Sequence, residues 1–159
     1  GIAWPLRSNY RNTMKNGGIA IGARAQDGHL GAVCLACPFI AEDGTLGGFL
    51  SHDVDMPSPP PFDNLSKFGT YPRRRFAWVC GELDRLHKVY GQDAHWYVNN
   101  LAVHPSCQGQ GLASCLLRAV SGLADKAGVS CYVDTCGERN RSIYEHFGYE
   151  VPDAGGNSV

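Results

Sequence analysis

From His95 to Ala113 the sequence reads HWYVNNLAVHPSCQGQGLA. Tyr97, Val98, Leu101, Ala102 and Val103 form an apolar run of strand type, interrupted by Asn99 and Asn100. Pro105 ends the run, because proline has no N–H to give to a ladder. Beyond the glycines, Leu112, Leu116, Val120 and Leu123 recur at helical spacing, with Cys115 and Ala119 expected in the same stripe. Gly109 to Ala113 therefore falls at the first turn of a helix. Such a terminus presents unpaired N–H groups and a partial positive charge. Glycines remove the side chains that would hold a ligand off the backbone. The stretch thus predicts an anion site suited to a pyrophosphate.

Three phosphate-binding patterns compete for it. A P-loop needs Lys followed by Ser or Thr after its last glycine, and Leu112 and Ala113 stand there instead. A dinucleotide fingerprint needs G-x-G-x-x-G/A directly after a strand. Gly109, Gly111 and Ser114 come close, and Asp134 stands where that motif places its acidic residue. His104 to Gln108, however, separates strand from glycines by more than the tight turn allows. The third pattern, Q/R-x-x-G-x-A/G, is met by Gln108, Gly111 and Ala113.

That third pattern resembles the acetyl-CoA loop of the GNAT superfamily of N-acetyltransferases. The LAVHP before it is similar to the end of that family's fourth strand. Asn140, Tyr144 and Gly148-Tyr149 resemble its second signature, and residues 94–151 are expected to form the cofactor-binding core. The resemblance implies an α+β, mixed-sheet, GNAT-like acyl-CoA N-acyltransferase fold. Its central sheet is mostly antiparallel and flanked by helices, and its fourth and fifth strands splay apart. The text around Trp96, a helix between the third and fourth strands, and the GERNRSIYEHFGYEV end resemble the branch that includes puromycin N-acetyltransferase.

The chain's 159 residues are expected to form a single domain with one sizeable core. A formal charge of −1 gives no electrostatic reason to expect nucleic acid or an anionic membrane as partner. No apolar run approaches a membrane span. Seven cysteines, an odd number in apolar surroundings, suggest free thiols in a reducing, cytoplasmic compartment. Cys34 and Cys37 form C-x-x-C, but on a strand they face opposite ways, and no second pair completes a zinc site. Core cysteines and no metal are the expectation.

Along the chain, residues 5–16 predict a helix with Leu6, Tyr10 and Met14 on one face, stopped by Gly17-Gly18. Ile19 to Ala25 and Leu30 to Phe39 predict a hairpin turned at Asp27-Gly28, similar to the family's second and third strands. Residues 40–72, rich in proline and glycine and containing His52 and Asp53, read as an irregular insertion. A helix is expected from Phe76 to about Tyr90, with Phe76, Val79, Cys80, Leu83, Leu86 and Tyr90 as its stripe. Arg73-Arg74-Arg75 at its start would oppose the helix dipole, which favours a later start. Gly128 predicts the end of the glycine-turn helix, Val129 to Asp134 a strand, Arg139 to Phe147 a helix, and Tyr149 to Val151 a further strand. The family's first strand and first helix find no room before residue 5, and its last strand no counterpart after Pro152. The chain therefore looks truncated at both ends, or completes its sheet from another protomer as a homodimer.

The resemblance also implies a site. The backbone of Leu101, Ala102 and Val103 would pair with the pantetheine arm of acetyl-CoA. Gln108, Gly109, Gln110, Gly111, Leu112 and Ala113 would enclose its pyrophosphate, and Asn140 would touch it from the opposite wall. Tyr144 would contact the cofactor and protonate the leaving thiolate; an ordinary phenol pKa of about 10 exceeds that of a thiol. The base that frees the acceptor amine is open among Asp134, His95, His104 and water, with Asp134 ranked first. His95 reads equally as a surface residue and His104 as a turn former. The expected activity is acetyl transfer from acetyl-CoA to the primary amine of a small molecule, antibiotic-like amines included. A non-catalytic acyl-CoA-binding module and a dinucleotide-binding oxidoreductase fragment are the alternatives.

Overall fold

A computed structural model describes residues 3–39 and 71–152, with the side chains of 3–8, 71–77 and 80 outside that description. Helix α1 (Ala3–Lys15) ends as Gly17 turns left-handed at φ 72°. Gly18 then donates to the carbonyl of Thr13 at 2.8 Å and runs into β1 (Ile19–Arg24). Asp27 and Gly28 close a hairpin to β2 (Leu30–Phe39), with the Asp27 carboxylate accepting from the N–H of His29 at 3.0 Å. Helix α2 (Tyr71–Tyr90) leads to β3 (His95–Val103). The remaining elements are α3 (Leu112–Ala127), β4 (Ser130–Tyr132) and α4 (Glu138–His146). The sheet order is β1-β2-β3-β4, antiparallel except for the parallel β3–β4 pair. This is the mixed α+β architecture expected.

The two asparagines that interrupt the β3 run have a structural reason. Leu35 pairs with Asn100 but the next residue, Ala36, pairs with Val98, so Asn99 is an extra residue in the ladder. A one-residue bulge reverses which face each following side chain takes. Trp96 and Val98 face one side before the bulge, and Leu101 and Val103 face that same side after it. They meet Ala32, Cys34 and Ala36 of β2 and Leu116, Leu117 and Val120 of α3 in the core. A fully buried leucine of this kind contributes about 2 kcal/mol.

Several expectations are corrected. In α3 the buried line is Leu116, Leu117, Val120 and Ala124, while Cys115 and Ala119 point outward, because the helix axis lies so that Leu117 rather than Cys115 enters the sheet. In α1 Thr13 is wholly buried, whereas Tyr10 and Met14 are 50% and 45% exposed. In α2 Val79 and Leu83 are exposed and His87 is the buried contact with the sheet. Helix α2 begins at Tyr71, with Pro72 in its first turn where no N–H is required, so the arginine triplet lies inside the helix. The rest of the proposed insertion, with His52 and Asp53, lies outside the described residues. Strand β4 spans Ser130–Tyr132 only, since its neighbour diverges after Tyr97. Tyr149 to Val151 forms no strand: the N–H of Tyr149 turns back to the carbonyl of Tyr144 at 3.2 Å, and no described strand lies beside it.

Candidate functional site

Strands β3 and β4 pair over His95–Tyr97 and Ser130–Tyr132, and then part. β3 runs on to Val103, so from Val98 onward its edge opposite β2 has no strand partner among the described residues. A chain segment able to offer carbonyls and amides could lie along that edge.

The glycine turn begins where this edge ends. The N–H of His104 donates to the carbonyl of Gly31 at 2.8 Å, and its own carbonyl accepts from Cys107 N–H at 2.8 Å. The His104 imidazole accepts from Ser106 N–H at 3.3 Å and lies 2.8 Å from Ser106 Oγ. Its work is local: it shapes a single 3-10 turn, Pro105–Cys107. Cys107 tucks beneath, against Gly31, where an added Cβ would come within 3.2 Å of its sulfur and 2.7 Å of Leu112 Cδ1. The hairpin thereby holds the turn from below.

Gly109 and Gly111 have φ of 78° and 75°, a region that disfavours residues with a Cβ. Gly111 caps α3 without any side-chain hydrogen bond. The first bond of α3 runs from Cys115 N–H to Gly111 C=O at 3.0 Å, so the amides of Leu112, Ala113 and Ser114 have no acceptor within the helix. A Cβ on Gly109 or Gly111 would meet no atom of the described residues within 4 Å. Gln110 reaches back to the carbonyl of Ser106 at 3.4 Å, and Gln108 is exposed.

On the α3 side of the sheet, α4 starts after Gly137 (φ 83°). Asn140 spends its side-chain amide on the carbonyl of Cys136 at 3.0 Å. Tyr144 packs half-buried against the core, its ring edge-on to Tyr149 at 5.5 Å. Burial, and then proximity to Cys34, push its phenol above the ordinary value, so it is protonated at neutral pH.

The opposite face carries a polar cluster. The phenols of Tyr97 and Tyr132 donate to the two carboxylate oxygens of Asp134, at 3.0 and 2.8 Å. Burial pushes the carboxyl of Asp134 up; the hydrogen bonds from Tyr132 and Tyr97, and then His95, pull it back. His95 is 1% exposed, not a surface residue, because it opens β3 under α2 and faces His87. The ring of His87 stacks on Tyr132 at 4.6 Å, and that of His95 on Phe39 at 4.7 Å. Asp134 and Tyr144 thus stand on opposite faces of the sheet.

Among the described residues no group of three or more His, Cys, Asp or Glu is placed to hold a metal. Cys34 and Cys37 are both fully buried, on opposite faces, and burial pushes their thiols up to about 11 and about 12.

Residues 75–151 match the acetyltransferase (GNAT) domain. A curated relative, an uncharacterised N-acetyltransferase of Schizosaccharomyces pombe, is 33% identical over 57 residues. That match covers 36% of this chain and 23% of the yeast protein, so the chain spans about a quarter of its relative's length. The crystal structure of a probable acetyltransferase is similar with a TM-score of 0.53 and 13% identity, over 94% of this chain and 71% of that one. A Trypanosoma brucei acetyltransferase is similar with a TM-score of 0.51 and 13% identity, over 97% and 77% of the two chains. At such identity these likenesses show the fold, and the fold is GNAT-like. The matched domain runs from α2 through Val151, so it includes the open edge of β3, the glycine turn, Asp134 and Tyr144.

Sequence reasoning missed His87, Tyr97 and Tyr132. Alternation along β4 puts Tyr132 and Asp134 on one face, but only the parallel register sets Tyr97 beside them.

Proposed function

We propose that the chain is an acetyl-CoA-dependent N-acetyltransferase whose acceptor is the primary amine of a small molecule, with antibiotic-like amines as one class. The observation that carries this reading is the opening between β3 and β4, which begins after Tyr97 and Tyr132 and ends at the glycine turn. The backbone of Leu101, Ala102 and Val103 would bond the pantetheine arm as a neighbouring strand would. Gln108, Gly109, Gln110, Gly111, Leu112 and Ala113 would enclose the pyrophosphate, with the first amides of α3 as donors. Asn140 would approach from the α4 side.

Asp134 takes a proton from the acceptor ammonium, and the freed amine attacks the thioester carbonyl. The tetrahedral intermediate sheds the second proton of its nitrogen to solvent and collapses with cleavage of the C–S bond, while Tyr144 gives its proton to the departing thiolate and regains one from solvent. The two groups stand on opposite faces of the sheet, which suits one proton arriving with the amine and another leaving with the thiol. The matched domain supports acetyl transfer, and the names of the similar proteins agree with it.

Calorimetric titration with acetyl-CoA, CoA and NAD, followed by a primary-amine screen for thiol release, tests the proposal. Micromolar binding of acetyl-CoA, about −8 kcal/mol, with thiol release on adding an amine, is the expected result. Binding without release from any amine would favour a non-catalytic acyl-CoA module. A folded protein that binds NAD and not acetyl-CoA would overturn the reading.

A further inference from the structure

We infer that Tyr97 and Tyr132 are positioning residues that clamp Asp134, fixing its carboxylate at the mouth of the opening and holding it ionised until it receives a proton. The geometry is specific. Each phenol donates to a different oxygen, Tyr132 to Oδ1 at 2.8 Å and Tyr97 to Oδ2 at 3.0 Å. The donors come from two strands, and they sit opposite one another in the last pair of the β3–β4 ladder. The clamp therefore spans the point at which the sheet begins to open. It fixes the rotation of the carboxylate, because turning it would break both bonds.

The bonds also act on the proton. A phenol donating to a carboxylate stabilises the charged form, and so opposes the burial that raises the pKa of Asp134. The other groups around the cluster are neutral or remote from the carboxylate. Cys37 of β2 lies under Tyr97, His95 of β3 and His87 of α2 pack above, and Tyr90 of α2 acts on Tyr132. Burial keeps His87 neutral down to about pH 4 and holds His95 below its ordinary value. Asp84 and Asp93 act on the histidines rather than on Asp134. Asp134 is thus the carboxyl of this cluster, and because the two histidines also take up protons in acid, its own carbon resonance is what reports on it.

The inference rests on the reading of Asp134 as the base, and the test separates the two. The carboxyl of Asp134 is titrated by carbon NMR in the wild type, Tyr132→Phe and Tyr97→Phe, with Asp134→Asn to assign the resonance. The pH dependence of kcat/KM is measured on the same proteins with the amine selected by the thiol-release screen. The phenylalanines keep the rings, and thermal melting shows whether each variant is folded. The expected result is a titration midpoint raised by about one pH unit in each variant, with the acid limb of kcat/KM moving up equally. Activity below that limb then falls about tenfold. An unmoved midpoint in folded variants would overturn the clamp. A midpoint that rises while the acid limb stays put would uphold the clamp and overturn Asp134 as the base.

Discussion

The Nε2 atoms of His87 and His95 lie 2.8 Å apart, and both rings are buried. The tautomers follow from a third atom. His95 Nδ1 is 2.7 Å from the carbonyl oxygen of Asp93, which can only accept, so Nδ1 carries the hydrogen. Neutral His95 then presents a lone pair at Nε2, and His87 donates its Nε2–H to it. A proton added to His95 would set two N–H groups head to head. One added to His87 would bury a charge.

Acid should therefore unfold this protein through the pair. Burial, reinforced by His95, lowers His87 from 6.5 to about 4, and burial lowers His95 as well. Between these values the unfolded chain binds protons that the folded one does not. Stability is full above about pH 6.5 and falls as pH drops toward 4. Each histidine contributes at most about 1.4 kcal/mol per pH unit. Asp134 works the other way, since its raised carboxyl favours the folded state on acidification. Urea unfolding of the wild type and His87→Phe at several pH values isolates the effect. The variant should show the shallower slope below pH 6.5; equal slopes would remove His87 from the account.

Gly111→Val should abolish acetyl-CoA binding while leaving the fold in place. The φ of 75° penalises a β-branched residue by about 1–2 kcal/mol. A Cβ there would meet no atom of the described residues within 4 Å, so the added side chain would stand in the space before the first α3 amides. Calorimetry should find affinity weakened by more than a hundredfold, with circular dichroism unchanged. Wild-type affinity in the variant would move the pyrophosphate elsewhere.

The glycine turn and its helix were legible because local rules suffice there. Pro105, Gly111 and Gly128 punctuate the backbone through their own φ preferences, and α3 ends at Ala127 with Gly128 left-handed as expected. Faces of helices were less legible. Thr13 and His87 fill the buried positions of α1 and α2, and a rule that seeks leucine and tyrosine passes over a threonine and a histidine. The polar cluster was not legible at all. Its members come from residues 87 to 134, and what joins them is the pairing of Tyr97 with Tyr132, a tertiary fact. The bulge at Asn99 was visible only as an interruption; the face reversal it causes needs the register of β2.

Gly18→Ala should destabilise far more than an exposed glycine change. A Cβ there would lie 2.7 Å from the carbonyl oxygens of Thr13 and Ala36 and 2.6 Å from Thr13 Cγ2. The first two contacts are backbone atoms of α1 and β2, which cannot step aside as a flexible side chain could. The cost should be about 2–4 kcal/mol, read from the urea midpoint. Gly81→Ala, on open surface within α2, is the comparison and should stabilise by about 0.5–1 kcal/mol. A loss below about 1 kcal/mol at Gly18 would mean that α1 is not held against β2 at this point.

Tyr144→Phe should slow turnover without weakening cofactor binding. Phenylalanine keeps the ring and its edge-on packing with Tyr149. On the proposed mechanism the change removes the proton offered to the thiolate, and loss of a positioned general acid costs about a hundredfold or more in kcat. The KM for acetyl-CoA should change little. The wild-type protein offers a second check. Burial raises the phenol above 10, so ionisation of Tyr144 should impose no alkaline limb on kcat below pH 10. A variant with full kcat would leave Tyr144 as a packed aromatic and give the leaving-group proton to another donor.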